Sequence, residues 1–104
     1  VRAGEWVVCS GQLGISDGEI VPGGVGAQLT QAIANLRAVL ETEGATLADV
    51  VKTTVFLVDI SSFDEMNAAY VAGFDGHRPA RSAVAVAALP RGGAVEIEAW
   101  ARTV

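Results

Sequence analysis

Hydrophobic positions recur along the 104 residues with two different periods, and the switches between them mark the elements. Glu5–Ser10 is rich in strand-formers (Trp6, Val7, Val8) and is closed by Gly11, which predicts a first strand. Asp17-Gly18 and Pro22-Gly23-Gly24 are turn signals on either side of a short strand at Glu19–Val21. The glycines at 23, 24 and 26 do not have the G-x-G-x-x-G spacing that cradles a phosphate and read as a shaped loop. Over Ala27–Glu43 the period lengthens. Leu29, Ile33, Leu36 and Leu40 follow one another at spacings of four, three and four, Ala32 and Val39 widen the stripe, and Gly44 supplies a stop. This is an amphipathic helix with one face in a core.

Thr46 opens a brief turn through Val50, and Val51–Asp59, rich in Val, Thr and Phe, predicts a strand. Ser62 with Glu65 three residues later has the form of a capping box for a second helix, Phe63 to Gly73 or Phe74. Its apolar stripe is Phe63, Met66, Tyr70 and Phe74, and at ~100° per residue Asn67 lies inside that stripe. An amide there needs a partner, because burying it unpaired costs about 1–3 kcal/mol. It is either bonded to nearby backbone or lines a pocket. Ser82–Leu89 is almost wholly apolar, as suits a central strand covered on both faces. After the turn Pro90-Arg91-Gly92-Gly93, Val95, Ile97 and Ala99 alternate with Glu96, Glu98 and Trp100 in a last strand. The order β-β-α-β-α-β-β implies an α+β fold, with two helices on one face of a mixed sheet. The other face also needs cover, and a further copy of the chain is the available cover.

Composition sharpens that picture. Hydrophobic residues make up 51% and charged residues 18%, below the typical ~25%. A monomer of this size exposes on the order of 5,500 Å², which so few charges cover thinly, again pointing to burial against other copies. The length fits a single domain, residues 1–104. No run of ~18 apolar residues is present to span a membrane, and the first residues lack a signal-peptide core. One cysteine, Cys9, cannot form an intramolecular disulfide, and a reducing cytoplasm is the simplest setting. With one Cys and one His, no metal site is expected. A net charge of −5 argues against extended contact with nucleic acid.

Few residues have the makings of chemistry. Arg81 opens the apolar segment, where a charge is out of place. Along the face of Ala83, Ala85 and Ala87 its guanidinium would emerge beside small side chains and could grip a carboxylate through paired hydrogen bonds. The plainer reading is a strand-end Arg paired with a surface acid. Glu96 and Glu98 share one face of the last strand; a solvated edge carboxylate is the plain expectation, a proton-transfer group in a dry crevice the functional one. A hairpin turning at Leu89–Gly93 would set Arg81 opposite residues 101–103 and Glu96 opposite 86–88. The separation is then ~17 Å, too far for one small substrate within one chain, so a shared site would need two subunits. Cys9 reads as core, with no neighbouring cation or base to activate it. His77 reads as a solvated loop residue. Ser10 has no His–Asp relay, although the N–H groups of Ser10 and Gly11 could bind an oxyanion or carboxylate.

Four segments in order resemble the RidA/YjgF family of reactive-intermediate deaminases. They are Val8-Cys9-Ser10-Gly11-Gln12; Val51-Lys52-Thr53-Thr54-Val55-Phe56-Leu57; Arg78-Pro79-Ala80-Arg81-Ser82 running into Val84–Pro90; and Val95-Glu96-Ile97-Glu98-Ala99. The resemblance covers essentially the whole chain. It implies a chorismate-mutase-like fold, a homotrimer with sites between subunits, and cofactor-independent hydrolysis of enamines and imines such as 2-aminoacrylate to 2-keto acids and ammonia. By position, Arg81 matches the arginine that clamps the substrate carboxylate and Glu96 the glutamate that orients or activates water. Ser10 and Gly11 match the pocket wall, and Asn67 a polar residue of the second helix. Three departures bear on substrate preference and on a lid. The family's N-terminal segment, with a tyrosine that closes over the pocket, is absent from these residues; a cysteine common two positions after the arginine is Ala83 here; and the Tyr70–Arg81 loop is short. The competing expectation is a non-catalytic trimer that binds small carboxylates and regulates a partner. Ribonuclease activity, ascribed to some relatives, fits poorly with the net charge.

Overall fold

Strand residues alternate between a buried and an open side, and this alternation organises the computed structural model, which describes residues 1–104. Along the chain run β1 (Arg2–Ala3), β2 (Trp6–Leu13), β3 (Ile15–Ser16), β4 (Glu19–Ile20), α1 (Gly24–Thr42), β5 (Val50–Leu57), α2 (Phe63–Phe74), β6 (Ala80–Ala85) and β7 (Val95–Arg102). Short 3₁₀ turns occupy Leu47–Asp49, Ile60–Ser62 and Pro90–Gly92. The main sheet has the order β1-β2-β7-β5-β6; β5 and β6 are parallel and the other pairs antiparallel. β3 and β4 form a separate hairpin, pinned to α1 where the Asn35 amide donates to the carbonyls of Leu13 and Ile15.

Both helices lie on one face, as the α+β reading requires. Leu29, Ile33, Leu36 and Leu40 of α1 and Met66, Tyr70 and Phe74 of α2 pack on Val7, Cys9, Val55, Leu57, Val95, Ile97 and Ala99 of the sheet. The second helix has the expected bounds, and the first begins earlier than expected. Gly23 is its N-cap, and Gly24 and Gly26 belong to its first turn instead of to a loop. Ser62 precedes α2, but its hydroxyl donates to the Asp59 carbonyl, so the expected capping box does not form. Asp59 instead accepts from the Ser61 N–H and hydroxyl, which holds its carboxyl below the usual range.

Two strand expectations are corrected. The apolar segment after Arg81 is the edge strand β6, paired with β5 alone, and it ends at Ala85. β7, expected at an edge, is interior and runs between β2 and β5. The 89–93 turn therefore carries the chain over β5 to its far side and does not close a hairpin. An apolar segment suits either a central strand or an edge strand covered by something else, and composition does not separate the two.

The open face of the sheet carries Trp6, Val8, Trp100, Phe56 and Val84 together with Lys52, Thr54, Glu96 and Glu98. Trp6 and Trp100 meet edge to face, 6.1 Å between centroids, and both are exposed. No helix is long and apolar enough to cross a membrane.

Candidate functional site

The sheet register distributes the candidate residues. Paired residues of neighbouring strands share a face, and Cys9, Ala99, Thr53 and Arg81 form one cross-strand row. Thr53 is fully buried beneath α2, so Arg81 stands at the edge of the helix-covered face. Glu96 belongs to a second row, Leu13, Glu96, Phe56 and Val84, and alternates with the buried Val95 and Ile97. It therefore points from the opposite face. Arg81 and Glu96 are three residues apart in register and two strands apart, roughly 14 Å between backbones. This geometry replaces the expected hairpin, yet the consequence is the same: the two side chains do not meet within one chain.

They belong to two separate clusters. In the first, the half-buried Arg81 donates from Nη1 to Asn67 Oδ1 at 2.7 Å. Its guanidinium carbon lies 4.6 Å from the centroid of Tyr70 and 5.4 Å from that of Phe63. Asn67 thus has a partner inside the α2 stripe, and that partner is a cation. The expected pairing of Arg81 with a surface acid is not found, since the ion pairs of the chain join Arg2 to Glu43 and Arg102 to Glu5. A half-buried guanidinium held by an amide oxygen and two ring faces keeps its positive charge uncompensated, and its remaining N–H donors can serve an anion.

The second cluster joins Glu96 to the bulge of β2. The register slips between Cys9 and Gln12, leaving Ser10 and Gly11 without pairing partners on β7, and both are exposed. The Glu96 carboxylate lies directly over Gly11: a Cβ there would stand 2.5 Å from Oε1 and 2.6 Å from Cδ. Only glycine admits the carboxylate in this position. Gly11 and Glu96 are therefore neighbours, with Ser10 next along the bulge, as are Arg81 and Asn67.

Cys9 is buried, and burial pushes its thiol up, which keeps it protonated and inert as the core reading requires. His77 is half-buried instead of solvated; its Nε2 meets the Val50 carbonyl at 2.7 Å. A cleft of about 380 Å³ at the C-terminal ends of α1 and α2 is lined by Arg37, Glu41, Phe74 and His77 among others, and by none of the candidate residues. Tyr70 and Phe63 read as core from their helical spacing and prove to border Arg81. The signal that could have found them is the tyrosine hydroxyl, which in a core must find a partner; it does so in Thr53, at 2.7 Å.

Comparison with known proteins places the chain in a family. The family model described as Endoribonuclease L-PSP matches residues 1–103. A protein of Rattus norvegicus named 2-iminobutanoate/2-iminopropanoate deaminase is 47% identical over 97 residues, 91% of this chain and 71% of that protein. The human protein of the same name is 44% identical over the same shares. Among solved structures, the YjgF gene product of E. coli superimposes with a TM-score of 0.94 at 42% identity, covering 100% of this chain and 85% of that one. RidA from a Psychrobacter species superimposes with a TM-score of 0.94 at 44% identity, covering 99% and 85%. With a family model spanning nearly every residue and relatives this similar over most of their length, the chain belongs to the Endoribonuclease L-PSP family, that of RidA and YjgF.

Proposed function

We propose that the protein is an imine deaminase that hydrolyses reactive enamines and imines of the 2-aminoacrylate/2-iminopropanoate type to 2-keto acids and ammonia. The observation that carries this reading is Arg81, a half-buried cation with no acidic partner, oriented by Asn67 and two rings. Relatives at 44–47% identity named 2-iminobutanoate/2-iminopropanoate deaminase supply the substrate class.

In the proposed mechanism Arg81 holds the substrate carboxylate, with Asn67 beside it, and Ser10 and Gly11 form the wall next to Glu96. The carbon of a protonated imine is already electrophilic, so no cofactor is needed and orientation with proton transfer suffices. Glu96 accepts a proton from water as the water oxygen bonds to that carbon. The nitrogen of the resulting tetrahedral carbinolamine is protonated, the C–N bond breaks toward nitrogen, ammonia leaves, and the hydroxyl loses its proton to give the keto acid. Because Arg81 and Glu96 lie on opposite faces, the complete site takes Arg81 from one subunit and Glu96 from another. We read the assembly as a homotrimer, each chain one domain of residues 1–104, working in the cytoplasm on a small imino acid.

The reading predicts faster ammonia release from 2-iminopropanoate generated in situ by an amino-acid oxidase, and loss of that acceleration in Arg81→Ala. Equal rates for the two proteins overturn it. A trimer that binds carboxylates without turnover would use the same clamp; the carboxylate held over Gly11 favours the hydrolase, because binding alone has no need of it. The ribonuclease in the family's description finds little support in a chain of net charge −5.

A further inference from the structure

We infer that Tyr70, anchored by Thr53, is a positioning residue that fixes the guanidinium of Arg81 before any ligand arrives. The inference rests on the reading of Arg81 as a carboxylate clamp and adds what holds the clamp still. Three contacts, together with the Arg81 side chain itself, form a closed loop. Thr53 stands opposite Arg81 in the parallel β5–β6 ladder, which sets the distance between their backbones. The Thr53 hydroxyl meets the Tyr70 hydroxyl at 2.7 Å, with both residues buried. The Tyr70 ring lies 4.6 Å from the Arg81 guanidinium carbon, and the guanidinium returns through its own side chain to the strand on which the loop began. Asn67 and Phe63 close the remaining sides.

A buried tyrosine hydroxyl needs a partner, and here that partner is the residue in register with the very arginine the ring faces. The phenol also stays neutral: burial pushes it up, against the opposing effects of Thr53, Arg81 and Arg78. The ring therefore presents a π face to the cation and adds no competing anion. Restricting a long, flexible side chain in advance removes that ordering cost from ligand binding.

The test has three readings, the second of them a double-mutant cycle between positions 70 and 81. The first is the Arg81 Nε–H resonance, which ring currents displace; it shifts in Tyr70→Leu and much less in Tyr70→Phe, which keeps the ring. The second is pyruvate binding by titration calorimetry, weakened roughly 3- to 30-fold in Tyr70→Leu. That effect disappears when Tyr70→Leu is made in an Arg81→Ala background. The third is KM for the imine, expected to rise with a smaller change in kcat. Thr53→Val, which keeps volume and removes the anchoring hydroxyl, reports the same resonance should Tyr70→Leu not fold. It is expected to shift the signal by about as much as Tyr70→Phe, with no further shift in the double variant. An unchanged Arg81 resonance in Thr53→Val and Tyr70→Phe, or an equal loss of binding with and without Arg81, overturns the inference. Failure of the wild type to release ammonia removes the deaminase reading alone, because the resonance requires no turnover.

Discussion

At position 11 a single added methyl group separates the stability of the fold from the chemistry proposed for it. The nearest atoms that the methyl of Gly11→Ala would meet belong to the flexible outer end of the Glu96 side chain, from Cγ to the carboxylate. That end can rotate away at little cost, and a Gly→Ala change at a permissive backbone position tends to stabilise, by about 0.4–1 kcal/mol. The melting temperature of Gly11→Ala is therefore expected to stay level or rise slightly. If Glu96 positions water, a displacement of its carboxylate by about 1 Å lowers kcat by up to ~10²-fold. Thermal melts and steady-state ammonia release on the same samples check both halves. Unchanged turnover would show that the carboxylate is not used where it lies. The opposite face has its own single-residue measure in Arg81, where alanine removes the guanidinium and leaves Asn67 Oδ1 without the donor it now has.

Between elements, the contact with most consequence is that of α2 with β5 through Tyr70 and Thr53, and it makes a pH prediction with a definite sign. Burial raises the Tyr70 phenol above its usual ~10, so the folded state holds the proton longer than the unfolded chain. The stability this contributes is complete below the unfolded value and is lost as pH rises through the folded one. Tyr70 is the only tyrosine, so an ultraviolet difference titration reports it without ambiguity. Ionisation is expected above the usual phenol range, with no signal in Tyr70→Phe; ionisation at the ordinary value would contradict the buried geometry. The helices that frame this contact were legible in the sequence because an apolar stripe needs only its own spacing, as Leu29–Ile33–Leu36–Leu40 and Phe63–Met66–Tyr70–Phe74 show. Strand pairing was not legible, because Ala83–Val86 has no alternation to reveal whether it is central or at an edge. The assumed β6–β7 hairpin gave way to the parallel β5–β6 pair. Asn67 was legible as an amide needing a partner, but naming that partner required knowing which face Arg81 occupies.

For the whole molecule, the features that look incomplete in one chain belong together. The face turned from the helices exposes Trp6, Trp100 and Val84, and β6 leaves one side of its ladder unpaired at the edge of the sheet. Exposed apolar surface and a bare strand edge both favour pairing with another chain. The proposed function asks for the same, since Arg81 and Glu96 leave the sheet from opposite faces and would reach one carbon only from two subunits. In a ring of three subunits joined head to tail, each complete site would take Arg81 from one chain and Glu96 from the next. Two inactive variants, Arg81→Ala and Glu96→Gln, then contain complementary intact halves. When they are unfolded together and refolded as an equal mixture, about a quarter of the sites should draw both wild-type residues. Ammonia release should return to about a quarter of the wild-type rate, while each variant refolded alone stays inactive. A site built within one chain gives no recovery at any mixing ratio, because every subunit then carries one defect in its own site. Mixing without unfolding is the matching control: the rate should stay low until subunits exchange, and it should rise at the pace of exchange measured on tagged copies.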